Sequence, residues 1–366
     1  MDVLILSGKP RPEGGFLREA VARWVDAARG SVDRPASLGL TLLVPEKGKS
    51  RDDVADVGNC VHVAHWETGK DDVAAKLQAR IGGLLEARDG VTARKWTSTV
   101  GAAQLCIDHA RVLHHAQAVS HAEYVTVVED DVLPTRTFVD AMEYALASVS
   151  QGEFPPRPAA KGAEEAARKY ETTGVAHDWA YVKPFSAPVW SGFSERSAVG
   201  LFAVVLVVAA PVAVLARKLR GRWLGSLVIG VLSGLGTLVF VLLVSRPHIH
   251  EFARTFMPVW LVTNVSSPAP APNAVAIVYP AATVGYWRDA LLEHAALVIE
   301  DLERGDADAI ENGAPQIDLF LYRHAKAIGR QRLLVQPNQL IHIGRRSSLT
   351  DRKTKAISEF GLWFDE

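Results

Sequence analysis

The feature that most constrains this chain is a pair of long apolar runs in its middle, Val199 to Ala216 and Trp223 to Val244. The basic segment Arg217 to Arg222 separates them. A run of about 20 apolar residues crosses a bilayer as a helix, and its backbone groups must then be paired within the segment. Two such runs joined by so short a loop predict a transmembrane hairpin with both flanks on one side. Because cytoplasmic loops collect basic residues, the flanks are predicted to be lumenal or external.

The alternative for these runs is a pair of buried core helices in a large soluble protein. Neither run contains a charged residue, and the basic loop has no acidic partner nearby, which favours the membrane interpretation. Gly230 and Gly234 have the small-xxx-small spacing that lets two helix backbones approach closely, so a contact between the two helices is predicted there. The aromatic segment Trp179 to Trp190, just before the hairpin, is predicted to form an interfacial belt.

The remaining length and the charge limit the class of protein. The 366 residues carry a formal net charge of −1, which provides no field for a polyanion, so a nucleic-acid partner is not predicted. Cys60 and Cys106 are too few for a metal framework, and either a disulfide or two free buried thiols are compatible with the sequence. We predict one α/β domain, formed by residues 1–196 and 247–366 and interrupted by the hairpin at 197–246.

An acidic turn follows the most strand-like segment of the chain. Tyr124 to Val128 is an uninterrupted apolar and β-branched run, typical of the buried centre of a parallel sheet, and Glu129, Asp130 and Asp131 come directly after it. Ligands of open α/β sheets bind beyond the carboxyl ends of the strands. Three carboxylates there repel one another unless a cation or hydrogen-bond donors offset the charge, and Mg²⁺ or Mn²⁺ carrying a diphosphate would be such a cation. The alternative is a solvated turn that caps the next helix.

A second constellation lies in the C-terminal third. It consists of Pro315 to Leu321 and Val335 to Leu349, the latter containing His342, Gly344, Arg345, Arg346, Ser347 and Ser348. These residues resemble the C-terminal signature of the animal N-acetylglucosaminyltransferase IV family, although Ile341 stands where that family has Gln. With the acidic triplet and the hairpin, the chain is more similar still to the Golgi family that adds N-acetylgalactosamine to GPI anchors. That family has an additional N-terminal membrane anchor that is absent from this sequence, so the resemblance implies either a truncated or a misannotated start.

The resemblance implies a GT-A-like, Rossmann-like glycosyltransferase domain interrupted by a transmembrane hairpin. It also implies a metal-dependent reaction, with Mn²⁺ or Mg²⁺ and a UDP-sugar donor, in which Asp131 and His342 are metal ligands. Glu129 and Asp130 would orient the ribose, the metal's water shell and the phosphate, while Arg345, Ser347 and Ser348 would donate to phosphate. As alternatives, His342 would form a hydrogen bond with a buried backbone carbonyl, and the basic residues after it would form a solvated turn.

Asp318 is the candidate general base. It begins the apolar segment Asp318 to Tyr322, and an inverting transfer needs a carboxylate that accepts the proton of the attacking hydroxyl. The alternative is an acidic residue that caps the first turn of a helix. Both interpretations stay open on the sequence.

The partners and location come from the same resemblance. It implies a membrane-embedded, multi-pass Golgi protein with a lumenal catalytic domain, which transfers N-acetylgalactosamine from a UDP-N-acetylhexosamine to the mannose core of a GPI anchor on a protein or lipid-linked glycan. An N-acetylglucosaminyltransferase acting on protein-linked glycans is the enzymatic alternative. A catalytically inactive membrane adaptor is the alternative from a different class.

Overall fold

The structure is a computed structural model that describes residues 1–6, 16–29, 39–45, 62–66, 73–86, 93–129, 132–150, 157–174, 178–184, 195–220, 225, 227–238, 260–264, 276–305, 317–336 and 338–342. The chain divides into two compact units. The first comprises Met1–Ser186, Trp260–Pro268 and Pro272–Glu366, and the second comprises Ala187–Val259 and Ala269–Ala271.

Strands and helices are interspersed along the first unit. The strands are β1 Asp2–Leu6, β2 Gly39–Pro45, β3 His62–Trp66, β4 Tyr124–Glu129, β5 Val132–Pro134, β6 Trp179–Lys183, β7 Leu261–Asn264, β8 Ala276–Pro280, β9 Gln331–Gln336 and β10 Leu340–His342. The helices are α1 Phe16–Arg29, α2 Val73–Glu86, α3 Ala93–Val119, α4 Phe138–Ser150, α5 Glu164–Glu171, α7 Val284–Arg304 and α8 Ile317–Ala327, while α6 Glu195–Arg220 belongs to the second unit. This mixture confirms the predicted α/β class.

A large mixed sheet organises the first unit. Its strand order is β3-β2-β1-β4-β8-β6-β9-β7, and the first four strands are parallel. Strand β8 runs antiparallel to both β4 and β6, and β9 runs parallel to β6. Strands β4, β6 and β9 therefore end at the same edge of the sheet, which we call the carboxyl edge.

The predicted strand around Tyr124 is confirmed and lies in the middle of this sheet. Its four central residues are buried without alternation, which is typical of a strand covered on both faces. Val125 and Val127 pack into the larger core beneath α3 and α7, with Tyr279 of β8 and Trp287 of α7. By strand alternation, Thr126 and Val128 point to the opposite face.

The first part of the aromatic segment Trp179 to Trp190 forms a strand of the sheet. It does not form the predicted interfacial belt. Trp179–Lys183 forms β6, an interior strand of the sheet, and Trp179 is buried and stacked against Tyr124. Its aromatic residues fill the core. The remainder of the predicted belt lies outside the described residues.

The second unit contains two helical segments that contact each other closely. A Cβ atom placed on Gly230 would lie 2.7 Å from the Cβ of Ala213, and one on Gly234 would lie 3.3 Å from the Cβ of Ala209. The close approach predicted from the glycine spacing is thereby confirmed. Any larger side chain at Gly230 would force the helices apart.

The predicted transmembrane hairpin is wrong. In the described part of the chain, none of the helices combines the length and the apolar character needed to cross a bilayer. Helix α6 carries charged residues at both ends and Pro211 in its interior. Within the described residues, the second run is helical over 227–238. The multi-pass Golgi location with a lumenal catalytic domain depended on this hairpin and is wrong for the same reason.

Candidate functional site

The acidic turn leaves the sheet at its carboxyl edge. Glu129 is the last residue of β4 and is half-buried, paired in register with Leu6 of β1. Asp130 and Asp131 lie outside the described residues, and β5 begins at Val132. The residues on either side of Asp130 and Asp131, Glu129 and Val132, are therefore both described.

A small antiparallel ribbon continues from this turn. Strand β10 pairs with β5 so that Leu340 is opposite Pro134, Ile341 opposite Leu133 and His342 opposite Val132. Opposite Cα atoms in such a pair are about 4.5–5.5 Å apart. Because Asp131 is covalently bonded to Val132, the backbone of His342 lies beside the end of the acidic turn.

One buried hydrogen bond fixes the first residue of β5. The indole Nε1 of Trp24, on α1, donates to the carbonyl oxygen of Val132 at 3.0 Å. Trp24 is fully buried, and its ring meets Phe138 edge-on at 4.9 Å between centroids. An element from early in the sequence thus holds the carbonyl of the first residue after the acidic turn.

A buried glutamine fixes the other end of the ribbon. Gln339 is completely inaccessible to solvent, and its side-chain Oε1 accepts hydrogen bonds from the hydroxyls of Thr135 and Thr137, both at 3.3 Å. Its backbone N–H donates to the carbonyl of Pro184 at 2.9 Å, and its own carbonyl accepts from the N–H of Thr135 at 3.0 Å. Since Pro184 follows β6 directly, the ribbon is tied to the carboxyl edge.

Asp318 is buried in the first turn of α8, where unpaired N–H groups and the helix dipole favour a negative charge. Among the described residues, its charge acts on Cys106 of α3, Tyr181 and Lys183 of β6, and Tyr279 of β8. Burial raises the pKa of Cys106, Tyr181 and Tyr279, so these three are neutral near pH 7.

Lys183 is the cation of this group. It ends β6 at the carboxyl edge, and burial lowers its pKa while the Asp318 carboxylate acts in the opposite direction. Its side chain is half-buried, and a nearby carboxylate favours the charged form of a partly desolvated ammonium. Lys183 and Asp318 therefore place one positive and one negative group at the edge of the sheet where the acidic turn leaves.

The chemistry of the predicted donors fits a divalent cation. Carboxylate oxygens from the acidic turn and an imidazole from β10 are a donor set that suits Mn²⁺. Within the residues that the structure describes, no group of three or more His, Cys, Asp or Glu side chains forms a metal site. The side chains of Asp130, Asp131 and His342 are not among those described.

Most of the other residues singled out from the sequence also lie outside the described residues, and Cys106 is an exception. Arg345, Ser347 and Ser348 lie outside the described residues, so their phosphate-binding role stays a prediction. Cys106 is a free, buried thiol, and Cys60 is outside the described range.

Three residues of this region were not predicted from the sequence: Trp24, Lys183 and Gln339. Trp24 looked like one more apolar position of an amphipathic helix. Gln339 belongs to the motif that carries the family resemblance, and a polar residue inside that apolar stretch was a usable signal. Lys183 is the charged residue directly after the buried run of β6, a position comparable to that of Glu129 after β4.

Comparisons with known proteins assign no family to the chain. No protein-family profile matches the chain, and no curated protein matches it. Among solved structures, mannose-1-phosphate geranyltransferase from Thermus thermophilus has a TM-score of 0.29 and 14% identity, covering 91% of this chain and 72% of that one. Mouse xyloside xylosyltransferase 1, apo form, has a TM-score of 0.30 and 11% identity, covering 88% and 81%. Because both TM-scores are below 0.5, neither likeness supports an argument about the function of this chain.

Proposed function

We propose that the chain is a metal-dependent glycosyltransferase with a GT-A-like domain, which transfers a sugar from a nucleotide-sugar donor to a hydroxyl group. The observation that supports this most is the pairing of His342 with Val132. It brings the backbones of two predicted metal-binding segments together at the carboxyl edge, although they are far apart in the sequence. Ligand sites of α/β sheets occur at this edge.

The acidic turn and the segment after β10 would bind the diphosphate of the donor. Asp131 and His342 would hold a divalent cation, which when bound would neutralise charge on the diphosphate leaving group. Glu129 and Asp130 would orient the ribose and the phosphates. Arg345, Ser347 and Ser348 would donate hydrogen bonds to phosphate oxygens.

Asp318 would act as the general base of an inverting transfer. The acceptor hydroxyl loses its proton to the Asp318 carboxylate as its oxygen forms the new bond to the anomeric carbon. The bond from that carbon to the diphosphate oxygen breaks, and the diphosphate leaves with the electron pair. Lys183, whose charge acts on Asp318, would favour the ionised carboxylate that this step requires.

The donor and acceptor rest on the sequence resemblance. It favours UDP-N-acetylgalactosamine as donor and the mannose core of a GPI anchor as acceptor, with UDP-N-acetylglucosamine and a protein-linked glycan as the alternative pair. We do not propose that the protein is embedded in a membrane.

Mass spectrometry of the products tests this function. Purified protein is incubated with Mn²⁺, a panel of nucleotide sugars, and mannose-terminated acceptors of both glycan types. The proposal expects one acceptor to gain the mass of one N-acetylhexosamine in a donor-dependent reaction. A folded protein that modifies neither acceptor type with any donor would contradict the proposal and favour the inactive adaptor.

A further inference from the structure

We propose that Trp24 is a positioning residue for the metal–diphosphate site, acting through the hydrogen bond from its indole N–H to the carbonyl of Val132. The inference rests on the proposed function, because it concerns the turn that would bind the metal. It adds a residue of α1 that belongs to neither of the two motifs.

The described residues on both sides of the acidic turn are fixed by contacts, and Trp24 supplies one of those contacts on the second side. Before the turn, β4 is fixed in the sheet between β1 and β8. After the turn, Val132 is held by its pairing with His342 and by the Trp24 N–H at 3.0 Å. Val132 is itself fully buried, so water does not replace a lost donor there.

The same hydrogen bond acts on both predicted metal ligands. Val132 is bonded to Asp131 on one side and pairs across the ribbon with His342 on the other. A shift of the Val132 peptide would therefore change the spacing between Asp131 and His342. Metal affinity depends on such spacing, and loss of supporting contacts around metal ligands typically weakens binding roughly 10- to 100-fold.

Trp24→Phe removes the N–H donor and keeps an aromatic ring against Phe138. Trp287→Phe is the matched control, because Trp287 is also fully buried and its Nε1 has no hydrogen-bond partner in the described part of the chain. Both variants lose the same ring volume, but only the first loses a hydrogen bond. The readout is the dissociation constant of Mn²⁺ in the presence of UDP, measured by electron paramagnetic resonance.

We expect Trp24→Phe to weaken Mn²⁺ binding by about 10-fold and Trp287→Phe to leave it within about twofold of the wild type. Melting temperatures of the two variants show whether stability differs. If Trp24→Phe does not fold, Trp24 is replaced instead by β-(3-benzothienyl)alanine, which has the shape of Trp without the N–H, and the same shift in Mn²⁺ affinity is expected.

The outcomes separate the two claims. Wild-type protein that binds Mn²⁺, together with a Trp24 replacement of unchanged affinity, overturns the positioning role and leaves the proposed function intact. Equal weakening by both Trp→Phe variants also overturns it, because the effect would then come from core packing. Wild-type protein that binds no Mn²⁺ with UDP present refutes the metal site, and the role of Trp24 with it.

Discussion

Val132 and His342 face each other across the β5–β10 ribbon, in the register that begins with Pro134 opposite Leu340. This relationship joins the acidic turn after β4 to the C-terminal motif of the chain. The hydrogen bonds of Trp24 and Gln339 fix the ribbon from two sides. A short non-local strand pair at the carboxyl edge of the sheet thus brings together the chain segments of the proposed site.

Replacing the predicted metal ligands tests what this pairing implies. We expect Asp131→Asn and His342→Gln each to weaken Mn²⁺ binding in the presence of UDP by about 100-fold, because each removes one ligand of the cation. The melting temperatures should stay near that of the wild type. Glu165→Gln, a change at an exposed carboxylate of α5, serves as the control. Unchanged affinity in both ligand variants would remove the metal from this part of the chain.

The Gln339 amide should be energetically coupled to the threonines after β5. Gln339→Leu removes the oxygen that accepts from the Thr137 hydroxyl, and Thr137→Val removes that donor. Urea denaturation of the two single variants and the double variant measures the coupling, which we expect to be about 0.5–1.5 kcal/mol. Effects of the two changes that add without coupling would show that the bond does not stabilise the ribbon.

Asp318→Asn distinguishes a general base from a helix cap. An amide oxygen still accepts from first-turn N–H groups, so a cap should lose about 1 kcal/mol or less. A base requires a proton acceptor, so turnover should fall by about 10² or more while donor affinity hardly changes. Turnover and melting temperature are measured together. Near-normal turnover with a lowered melting temperature would end the catalytic assignment.

Lys183 should set the pH range in which Asp318 works. The other groups that face Asp318 here, Cys106, Tyr181 and Tyr279, are neutral near pH 7. Lys183→Met removes a cation that favours the ionised carboxylate, so the acid limb of the pH–rate profile should move to higher pH. Lys183→Arg keeps the charge and should keep the limb in place. An unshifted profile in Lys183→Met would show that Lys183 does not act on the catalytic carboxylate.

His109 should make the fold sensitive to acid. Its ring Nε2 lies 3.1 Å from the Tyr279 hydroxyl in the core, and burial lowers its pKa from 6.5 to about 4. As pH falls, the unfolded chain takes up the proton first, so the stability contribution is complete above about pH 6.5 and is lost towards pH 4, by at most about 3 kcal/mol.

The control for this effect replaces His109 with a residue whose side chain does not titrate. His109→Gln should reduce the dependence of unfolding free energy on pH between 6.5 and 4, although it lowers stability at neutral pH. His324, whose pKa burial also lowers to about 4, keeps its own contribution in both proteins. Urea denaturation at about pH 7 and about pH 4.5 gives the two values for each protein. An equal loss of stability in wild type and variant would assign the acid sensitivity to other groups.

Local patterns predicted the parts of the fold that depend on neighbouring residues. The apolar run at Tyr124 gave a buried central strand, and its position before Glu129 located the acidic turn at the carboxyl edge. The glycine spacing at Gly230 and Gly234 gave a real helix contact. In each case, a pattern of a few residues determines the structure.

The remaining features depend on contacts between distant segments. Nothing in the local sequence of Leu340–His342 indicates that it pairs with Val132–Pro134, or that an indole from α1 donates to Val132. Aromatic residues such as those of Trp179 to Lys183 are common both in core strands and at membrane interfaces. Their composition therefore does not distinguish the two locations, and the pairing of β6 with β9 does. Apolar length likewise predicted a membrane hairpin that the described helices do not form.

The most direct test of a metal-dependent glycosyltransferase is the release of UDP from UDP-N-acetylhexosamines by the purified protein. The release is measured with Mn²⁺, after addition of EDTA, and in the Asp131→Asn variant. The account predicts donor-dependent release with Mn²⁺ that EDTA abolishes, that renewed Mn²⁺ restores, and that Asp131→Asn reduces by about 10² or more. Release that is equally fast with EDTA or in Asp131→Asn, or no release with any UDP-N-acetylhexosamine from folded protein, would contradict it.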